Sequence, residues 1–170
     1  LHEYRGKFFP QLVKSLINFA GLSQHSIVID PMCGSGTTNC EARSMGMRTF
    51  GIDLNPLSVF VAKVKTSLLD ADRGMLRDQV ERTLKRLDTF NTHEEHMLPL
   101  PFDHKEISYL ERWFSKLAIS EVAEILKTIS TCQYLIARNF MEVCLSNIIK
   151  SVSWQKQTDL RVRKEVRPYI

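Results

Sequence analysis

The protein has 170 residues, of which 44% are hydrophobic, 25% charged and 9% aromatic, with 7 Gly and 6 Pro. This composition is typical of one folded domain and excludes collagen-like, low-complexity and strongly disordered chains. No apolar run approaches the roughly 20 residues that cross a bilayer, and the polar start of the chain has no apolar core of a secretory signal. We therefore expect a cytoplasmic protein without a membrane partner.

The net charge of +4 is not spread evenly along the chain. Residues 1–149 contain equal numbers of basic and acidic side chains, so the whole positive excess lies in residues 150–170. Such a segment suits contact with a phosphate backbone, although a solvated surface is the simpler alternative. The candidate nucleic-acid contacts are Lys156, Arg161, Arg163 and Lys164.

The cysteines and histidines do not predict a metal site. The four cysteines, at positions 33, 40, 132 and 144, form no C-x-x-C pair, which favours reduced, mostly buried thiols. His93 and His96 enclose two glutamates, but a polar loop explains this group more simply than a bound metal does.

The first elements of the chain are predicted to be a helix, a strand and a second helix. Residues 10–20 carry one apolar stripe between Pro10, which suits the first position of a helix, and Gly21, which suits its end. Residues 26–30 form a β-branched run that ends in an acid, as in a buried parallel strand. A glycine-rich turn follows, and the second helix is expected over residues 37–45.

The next residues repeat the strand and helix, and the rest of the chain is helical in pattern. Residues 49–53 predict a second strand, again ending in an acid, and residues 55–65 predict a third helix. A strand, glycine-rich turn, helix, strand and acid in this order make up half of a nucleotide-binding α/β sheet. Helical patterns then cover residues 72–90 and 104–150. Within the last stretch the spacing predicts one core-facing set, namely Leu135, Ile136, Phe140, Val143, Cys144 and Ile148.

The turn after the first strand is the first candidate site. Gly34 and Gly36 let the backbone turn sharply and let a ligand approach it closely, and the following helix presents unpaired N–H groups that favour a carboxylate or phosphate. Asp30, just before the turn, can accept from an ammonium group. For Cys33 we expect packing beside the turn rather than a nucleophilic role.

Asp53 is the second candidate. It lies 17 residues beyond Gly36 at the end of the next predicted strand, a position that directs a carboxylate at the two hydroxyls of a ribose. The alternative is that Asp53 caps the helix that begins at Pro56.

These motifs resemble those of S-adenosylmethionine-dependent methyltransferases, specifically the amino-methylating DNA methylases that modify adenine N6 or cytosine N4. Residues 30–37 look like their first motif, often written D-P-F-C-G-S-G-T, and residues 51–56 are similar to the second motif. Residues 7–10 resemble the segment that packs beside the methionine end of the cofactor. The resemblance covers residues 1–66 and implies a partial Rossmann-like methyltransferase sheet, of α/β class, followed by a largely helical C-terminal block.

The resemblance also implies roles for single residues. Asp30, Gly34 and Gly36 would border the methionine moiety, with backbone amides receiving its carboxylate. Asp53 would bind the ribose, and Leu54 would pack on the adenine. The full set implied to bind S-adenosylmethionine is Phe8, Phe9, Pro10, Asp30, Pro31, Cys33, Gly34, Gly36, Thr37, Asp53 and Leu54.

The N-terminal aromatic residues would close the cofactor pocket. In this reading Pro10 fixes the turn into the first helix, while packing of Phe8 and Phe9 against that helix is the alternative. The resemblance thus divides the chain into a cofactor-binding α/β region (1–70), a helical insertion or cap (71–150) and a basic segment leading towards the catalytic motif (151–170).

The chain departs from the family at the catalytic motif, [DNS]-P-P-[YFW]. No Pro-Pro pair occurs, and Pro168-Tyr169 is preceded by Arg167 where a second proline is needed. We therefore assign no catalytic residue and expect an excerpt that holds the cofactor half and is inactive alone. The Pro-Cys pair needed for cytosine C5 methylation is also missing from the sequence.

The expected function is site-specific methylation of an exocyclic amine of adenine or cytosine in DNA. Restriction–modification is the context that the resemblance suggests, and the sequence does not decide whether this protein belongs to such a system. RNA methylases that act on guanine N2 of tRNA share the first motif and are the nearest alternative, followed by a non-catalytic cofactor-binding or scaffold subunit. A nicotinamide-dependent oxidoreductase is disfavoured because Asn39 stands where the third glycine of G-x-G-x-x-G is needed. The sequence specifies neither the base nor an oligomeric state.

Overall fold

A computed structural model describes residues 8–88 and 102–155. Within these ranges it contains seven helices and one sheet of two parallel strands. The helices are α1 (Pro10–Phe19), α2 (Thr37–Ser44), α3 (Pro56–Ser67), α4 (Arg73–Asp88), α5 (His104–Leu110), α6 (Lys116–Ser130) and α7 (Leu135–Val152), and the strands are β1 (Ile27–Asp30) and β2 (Arg48–Gly51). The expected α/β class, with a helical C-terminal block, is confirmed.

The chain divides into two compact units, Leu1–Leu76 and Arg77–Ile170, with the boundary inside α4. The first unit contains the sheet with α1 to α3 and the start of α4, and the second contains the rest of α4 with α5 to α7. The functional division at residues 70 and 150 stays a prediction.

The core of the first unit lies on one face of the sheet. Val13 and Ile17 of α1, Ala42 of α2, and Met47 just before β2 are buried together, and Val28 of β1 packs against them. Side chains alternate between the two faces of a strand, so this cluster covers only the Val28 face.

The opposite face of the sheet is exposed. Ile29 pairs with Phe50 in the parallel register, and these two side chains are 63% and 58% exposed. Ile27, on the same face of β1, is exposed as well. The expectation that residues 26–30 form a fully buried strand is therefore wrong for alternate positions, because the described helices that pack on the sheet in the first unit, α1 and α2, lie on the Val28 side.

The long helical pattern over residues 104–150 is broken into three helices. Ser115 starts α6, its hydroxyl accepting a hydrogen bond from the Ala118 N–H (3.1 Å). Between α6 and α7, the Arg138 guanidinium donates to the Cys132 carbonyl from two nitrogens, at 3.1 and 2.9 Å. Polar groups thus define both breaks, which an apolar pattern alone does not reveal.

The buried side of α7 differs from the predicted one. Its buried residues are Ala137, Met141, Val143 and Leu145. Only Val143 belongs to the predicted set, whereas Leu135, Cys144 and Ile148 are exposed. Apolar side chains of α7 project from most sides of the helix, so its periodicity does not single out one face. Its packing against α6 selects the face that is buried. None of the helices in residues 8–88 and 102–155 is long and apolar enough to cross a membrane.

Candidate cofactor site

The turn between β1 and α2 depends on its two glycines. Gly34 and Gly36 have φ values of +49° and +79°, in the left-handed region that side chains disfavour. The Gly36 N–H donates to the Cys33 carbonyl at 2.8 Å, which closes the turn. Gly36 is also the N-cap of α2, and no side chain caps this helix. The first turn of α2 therefore begins directly at the glycine turn, as the sequence predicts.

Helix α3 packs directly against the same turn. A Cβ atom placed on Gly36 would lie 2.6 Å from the Cβ of Ala62, so Gly36 is needed for this contact as well as for its φ value. The Lys65 ammonium, one turn further along α3, donates to the Ser35 carbonyl at 3.1 Å. Sequence reasoning missed Ala62 and Lys65, because a small residue and a lysine carry no local signal for a contact some 30 residues away in the chain.

Asp53 joins the two predicted motifs. Its Oδ2 accepts from the Gly34 N–H at 2.9 Å, and its Oδ1 accepts from the Asn55 N–H at 2.8 Å. The N-cap of α3 is Asn55, whose side chain accepts from the Leu57 N–H at 3.0 Å, so the alternative role of Asp53 as that cap is wrong. The Gly34 amide, which was expected to receive a carboxylate of the cofactor, donates to Asp53 in this structure.

Backbone hydrogen bonds hold the carboxyl ends of the two strands side by side. The Ile52 N–H donates to the Asp30 carbonyl, and the Cys33 N–H donates to the Ile52 carbonyl, both at 2.9 Å. The Asp30 side chain accepts from the Met32 N–H at 3.1 Å. Asp30, the glycine turn and Asp53 therefore lie at one end of the sheet, where ligands bind in open α/β sheets.

Cys33 is buried beneath this site. Burial raises the pKa of its thiol, and the negative charges of Asp30 and Asp53 raise the pKa further. The group is therefore a neutral thiol at physiological pH, whereas a nucleophilic cysteine needs a lowered pKa. This agrees with packing and not with nucleophilic chemistry.

The other predicted cofactor residues are less constrained. Phe8, Phe9 and Leu54 have exposed side chains, and Pro31 is exposed within the turn. Phe9 is the N-cap of α1, which begins at Pro10, and Thr37 is the first residue of α2. The pocket-closing role of the two phenylalanines stays a prediction.

Some predicted residues lie outside the part of the chain that the structure describes. These are the nucleic-acid candidates Lys156, Arg161, Arg163 and Lys164, together with His93 and His96. Among the described residues, no group of three or more His, Cys, Asp or Glu side chains could hold a metal ion.

A left-handed glycine turn after one parallel strand, tied to an acid after the next, lies at the end of the sheet where ligands bind in open α/β folds. Comparison with protein families identifies the class of protein: the model of the RMKL-like methyltransferase domain matches residues 2–96. Since this match covers more than half of the chain, the protein belongs to that methyltransferase family.

Individual relatives include type II methyltransferases and tRNA methyltransferases. The type II methyltransferase M.MjaII of Methanocaldococcus jannaschii is 36% identical over 85 residues, which are 49% of this chain and 16% of that protein. M.BsoBI of Geobacillus stearothermophilus, also a type II methyltransferase, is 23% identical over 166 residues, or 97% of this chain and 31% of the relative. The tRNA (guanine(10)-N2)-dimethyltransferase of Methanothermobacter thermautotrophicus is 35% identical over 52 residues, or 31% of this chain and 16% of its own length.

The chain thus spans about a third or less of the length of these relatives. No solved structure matches it significantly.

Proposed function

We propose that this chain is the S-adenosylmethionine-binding half of a site-specific DNA methyltransferase that modifies an exocyclic amine of adenine or cytosine. The observation that carries the proposal is the hydrogen bond from the Gly34 N–H to Asp53, which brings the glycine turn and the ribose-binding acid of a Rossmann-like methyltransferase sheet together. Support for DNA comes from M.BsoBI, whose alignment extends over nearly the whole chain, the helical second unit included.

The residues present fit the proposed cofactor. The N-terminus of α2, which no side chain caps, and the two glycines of the preceding turn suit a bound carboxylate, because backbone N–H groups and the helix dipole favour negative charge there. Each carboxylate oxygen of Asp53 accepts one hydrogen bond and keeps capacity for another. Asp53 can therefore accept from ribose hydroxyls without releasing Gly34, and Asp30 at the same sheet end can accept from the ammonium group.

In the proposed reaction, the cofactor supplies a sulfonium-bound methyl group that an exocyclic amine attacks in line. The work of this chain is positional. Asp30 and Asp53 orient the two ends of the bound molecule, and Phe8, Phe9 and Leu54 cover its apolar and aromatic parts. No residue of this chain is assigned as the acceptor of the hydrogen bonds that the target amine donates.

The three regions of the chain take different parts in this proposal. Residues 1–70 bind the cofactor, residues 71–150 form a helical cap beside the nucleic acid, and residues 151–170 contact it. Lys156, Arg161, Arg163 and Lys164 pair with phosphates, while the target base leaves the stack to reach the methyl group. Such an enzyme serves a restriction–modification system in the cytoplasm.

Calorimetric titration of the gene product with S-adenosylhomocysteine tests the cofactor site. We expect binding that Asp53→Ala weakens at least tenfold, and no binding of NAD. Asp70→Ala is the matched control, because Asp70 is an exposed acid whose partner is Arg43, outside the site. Equal binding by all three proteins, or binding of NAD alone, would contradict the proposal.

Transfer to tRNA is the second candidate, because a tRNA dimethyltransferase matches part of the first unit. Transfer of a labelled methyl group from the cofactor to duplex DNA or to tRNA, measured with the gene product, separates the two. Methylation of DNA that weakens with added salt, and a smaller salt dependence after Arg161, Arg163 and Lys164 are neutralised, would support DNA. Cofactor binding with no transfer to either would favour a scaffold subunit.

A further inference from the structure

Gly51, the last residue of β2, has no room for a side chain. It is not one of the described glycines with positive φ, so its strand backbone is open to other residues as well. A Cβ atom at this position would lie 2.9 Å from the Sγ and 3.0 Å from the Cβ of Cys33, and 2.9 Å from the Oδ1 of Asn39. Carbon atoms in contact are normally about 3.5–4.0 Å apart. The requirement for glycine at position 51 is therefore steric, unlike the requirement at Gly36, which is conformational as well.

The space for this contact comes from the strand and not from the helix. Asn39 of α2 stands where the pattern G-x-G-x-x-G has its third glycine, the residue that allows a helix and a strand to pack closely. Asn39 is nevertheless only 4% exposed, and its Oδ1 is directed at Gly51. The missing side chain of Gly51 thus permits an approach of α2 to β2 that Asn39 by itself would prevent.

The other side chain packed on Gly51 belongs to the glycine turn. The Cys33 N–H donates to the carbonyl of Ile52, the residue after Gly51, at 2.9 Å. The Cys33 thiol donates to the Gly34 carbonyl at 3.7 Å, and the Gly34 N–H donates to Asp53 at 2.9 Å. A continuous series of contacts therefore leads from the space at Gly51, through Cys33, to the bond that joins the turn to Asp53.

We propose that Gly51 is a positioning residue of the cofactor site. The absence of its side chain lets Cys33 lie against the end of β2, and this sets the distance between the glycine turn and Asp53. A side chain at position 51 pushes Cys33, and with it Gly34, away from Asp53. The role in cofactor binding rests on the proposed function, whereas the positioning of Gly34 against Asp53 does not require a bound cofactor.

Hydrogen exchange of the gene product gives a test that involves no cofactor. We expect Gly51→Ala to speed exchange of the Gly34 amide by about tenfold, because the turn moves away from Asp53, and to leave the Ile17 amide of α1 nearly unchanged. Gly74→Ala is the matched control, since Gly74 also lacks a positive φ and an added Cβ would meet only the Asp72 side chain, at 3.3 Å. Unchanged exchange at Gly34, or equal acceleration at Gly34 and Ile17, would overturn the proposal.

Rescue at Cys33 tests the route to the site. We expect Gly51→Ala to weaken S-adenosylhomocysteine binding about tenfold, and added Cys33→Ala to restore about threefold, because removal of Sγ relieves the closest contact with the turn. Asn39→Ala relieves the contact with α2 instead and should restore less than about twofold. No restoration by Cys33→Ala, or equal restoration by both, would refute the proposal.

The same variants remain informative if Gly51→Ala alone does not fold. The double variant is then compared with Cys33→Ala, and the added alanine at position 51 should cost less than about threefold in affinity. A larger loss, or a double variant that does not fold, would refute the role of Cys33. Failure of the unsubstituted protein to bind S-adenosylhomocysteine would contradict the proposed function, and exchange of the Gly34 amide would still decide whether Gly51 positions the turn.

Discussion

The two units of the chain differ in the interactions that stabilise each of them. In the first unit, hydrogen bonds from backbone groups fix the candidate site residues. The Gly34 amide donates to Asp53, and backbone bonds through Ile52 join the ends of the two strands. In the second unit, side chains dominate, with Ala118, Ile119 and Ala123 of α6 buried as one helical stripe.

This difference explains why the first unit can be recognised from a sequence motif. Its geometry needs glycine at positions with positive φ and an acid at a strand end, and few sequences satisfy both requirements. The second unit needs only apolar side chains that fit one another, which many sequences provide. Substitutions in the first unit should therefore disturb both stability and cofactor binding, whereas core substitutions in the second should lower stability and leave cofactor binding unchanged.

The largest effect is expected for Gly36→Ala. The alanine backbone must adopt a left-handed conformation and its methyl group must displace Ala62, so we expect a loss of about 2–5 kcal/mol in the free energy of unfolding, together with loss of S-adenosylhomocysteine binding. Gly21→Ala is the matched control. Gly21 has φ +63° but nothing within 4 Å of the added Cβ, so only about 1 kcal/mol should be lost. Urea denaturation measures both, and equal losses would contradict the role of α3 packing.

Leu145→Ala tests the buried face of α7. Leu145 is 5% exposed, so truncation should leave a cavity and cost about 2–4 kcal/mol, with cofactor binding unchanged. Ile148→Ala removes a side chain that is 49% exposed, and about 1 kcal/mol is expected. The face predicted from periodicity requires the opposite order, so thermal denaturation of the two variants decides between the faces.

The smallest effect is expected for Lys65→Met, which sharpens the link between α3 and the glycine turn. Loss of the bond to the Ser35 carbonyl should cost about 1–2 kcal/mol and weaken S-adenosylhomocysteine binding severalfold, because the turn is held less firmly. Lys65→Arg retains a donor and should restore part of the affinity. Lys14→Met, which removes a half-exposed partner of Glu41, should leave the affinity unchanged. Unchanged binding by Lys65→Met would show that cofactor binding does not depend on the bond from Lys65 to the turn.

The positions of the elements in the first unit and of the glycine turn were predictable, because each depends on residues close in sequence. Pro10 starts α1, Asn55 caps α3, and the left-handed residues are glycines. The contacts of Asp53 were not predictable, since the sequence allowed it to be either a helix cap or a ribose-binding residue. The observed bond to Gly34 joins residues 19 positions apart and depends on two strands lying side by side.

By itself, the sequence determined the order of strands and helices around the glycine turn, because local rules of turn geometry and helix termination act within a few residues. Only the tertiary structure decided which faces are buried. Ile29 is β-branched and apolar, and yet it is exposed because the described helices that pack on the sheet in the first unit lie on the Val28 side. The contacts of Ala62 and Lys65 with the turn were likewise decided by how α3 packs, which no local pattern encodes. Which side chains are buried depends on contacts between elements that are distant in sequence. Burial therefore follows from packing and not from periodicity.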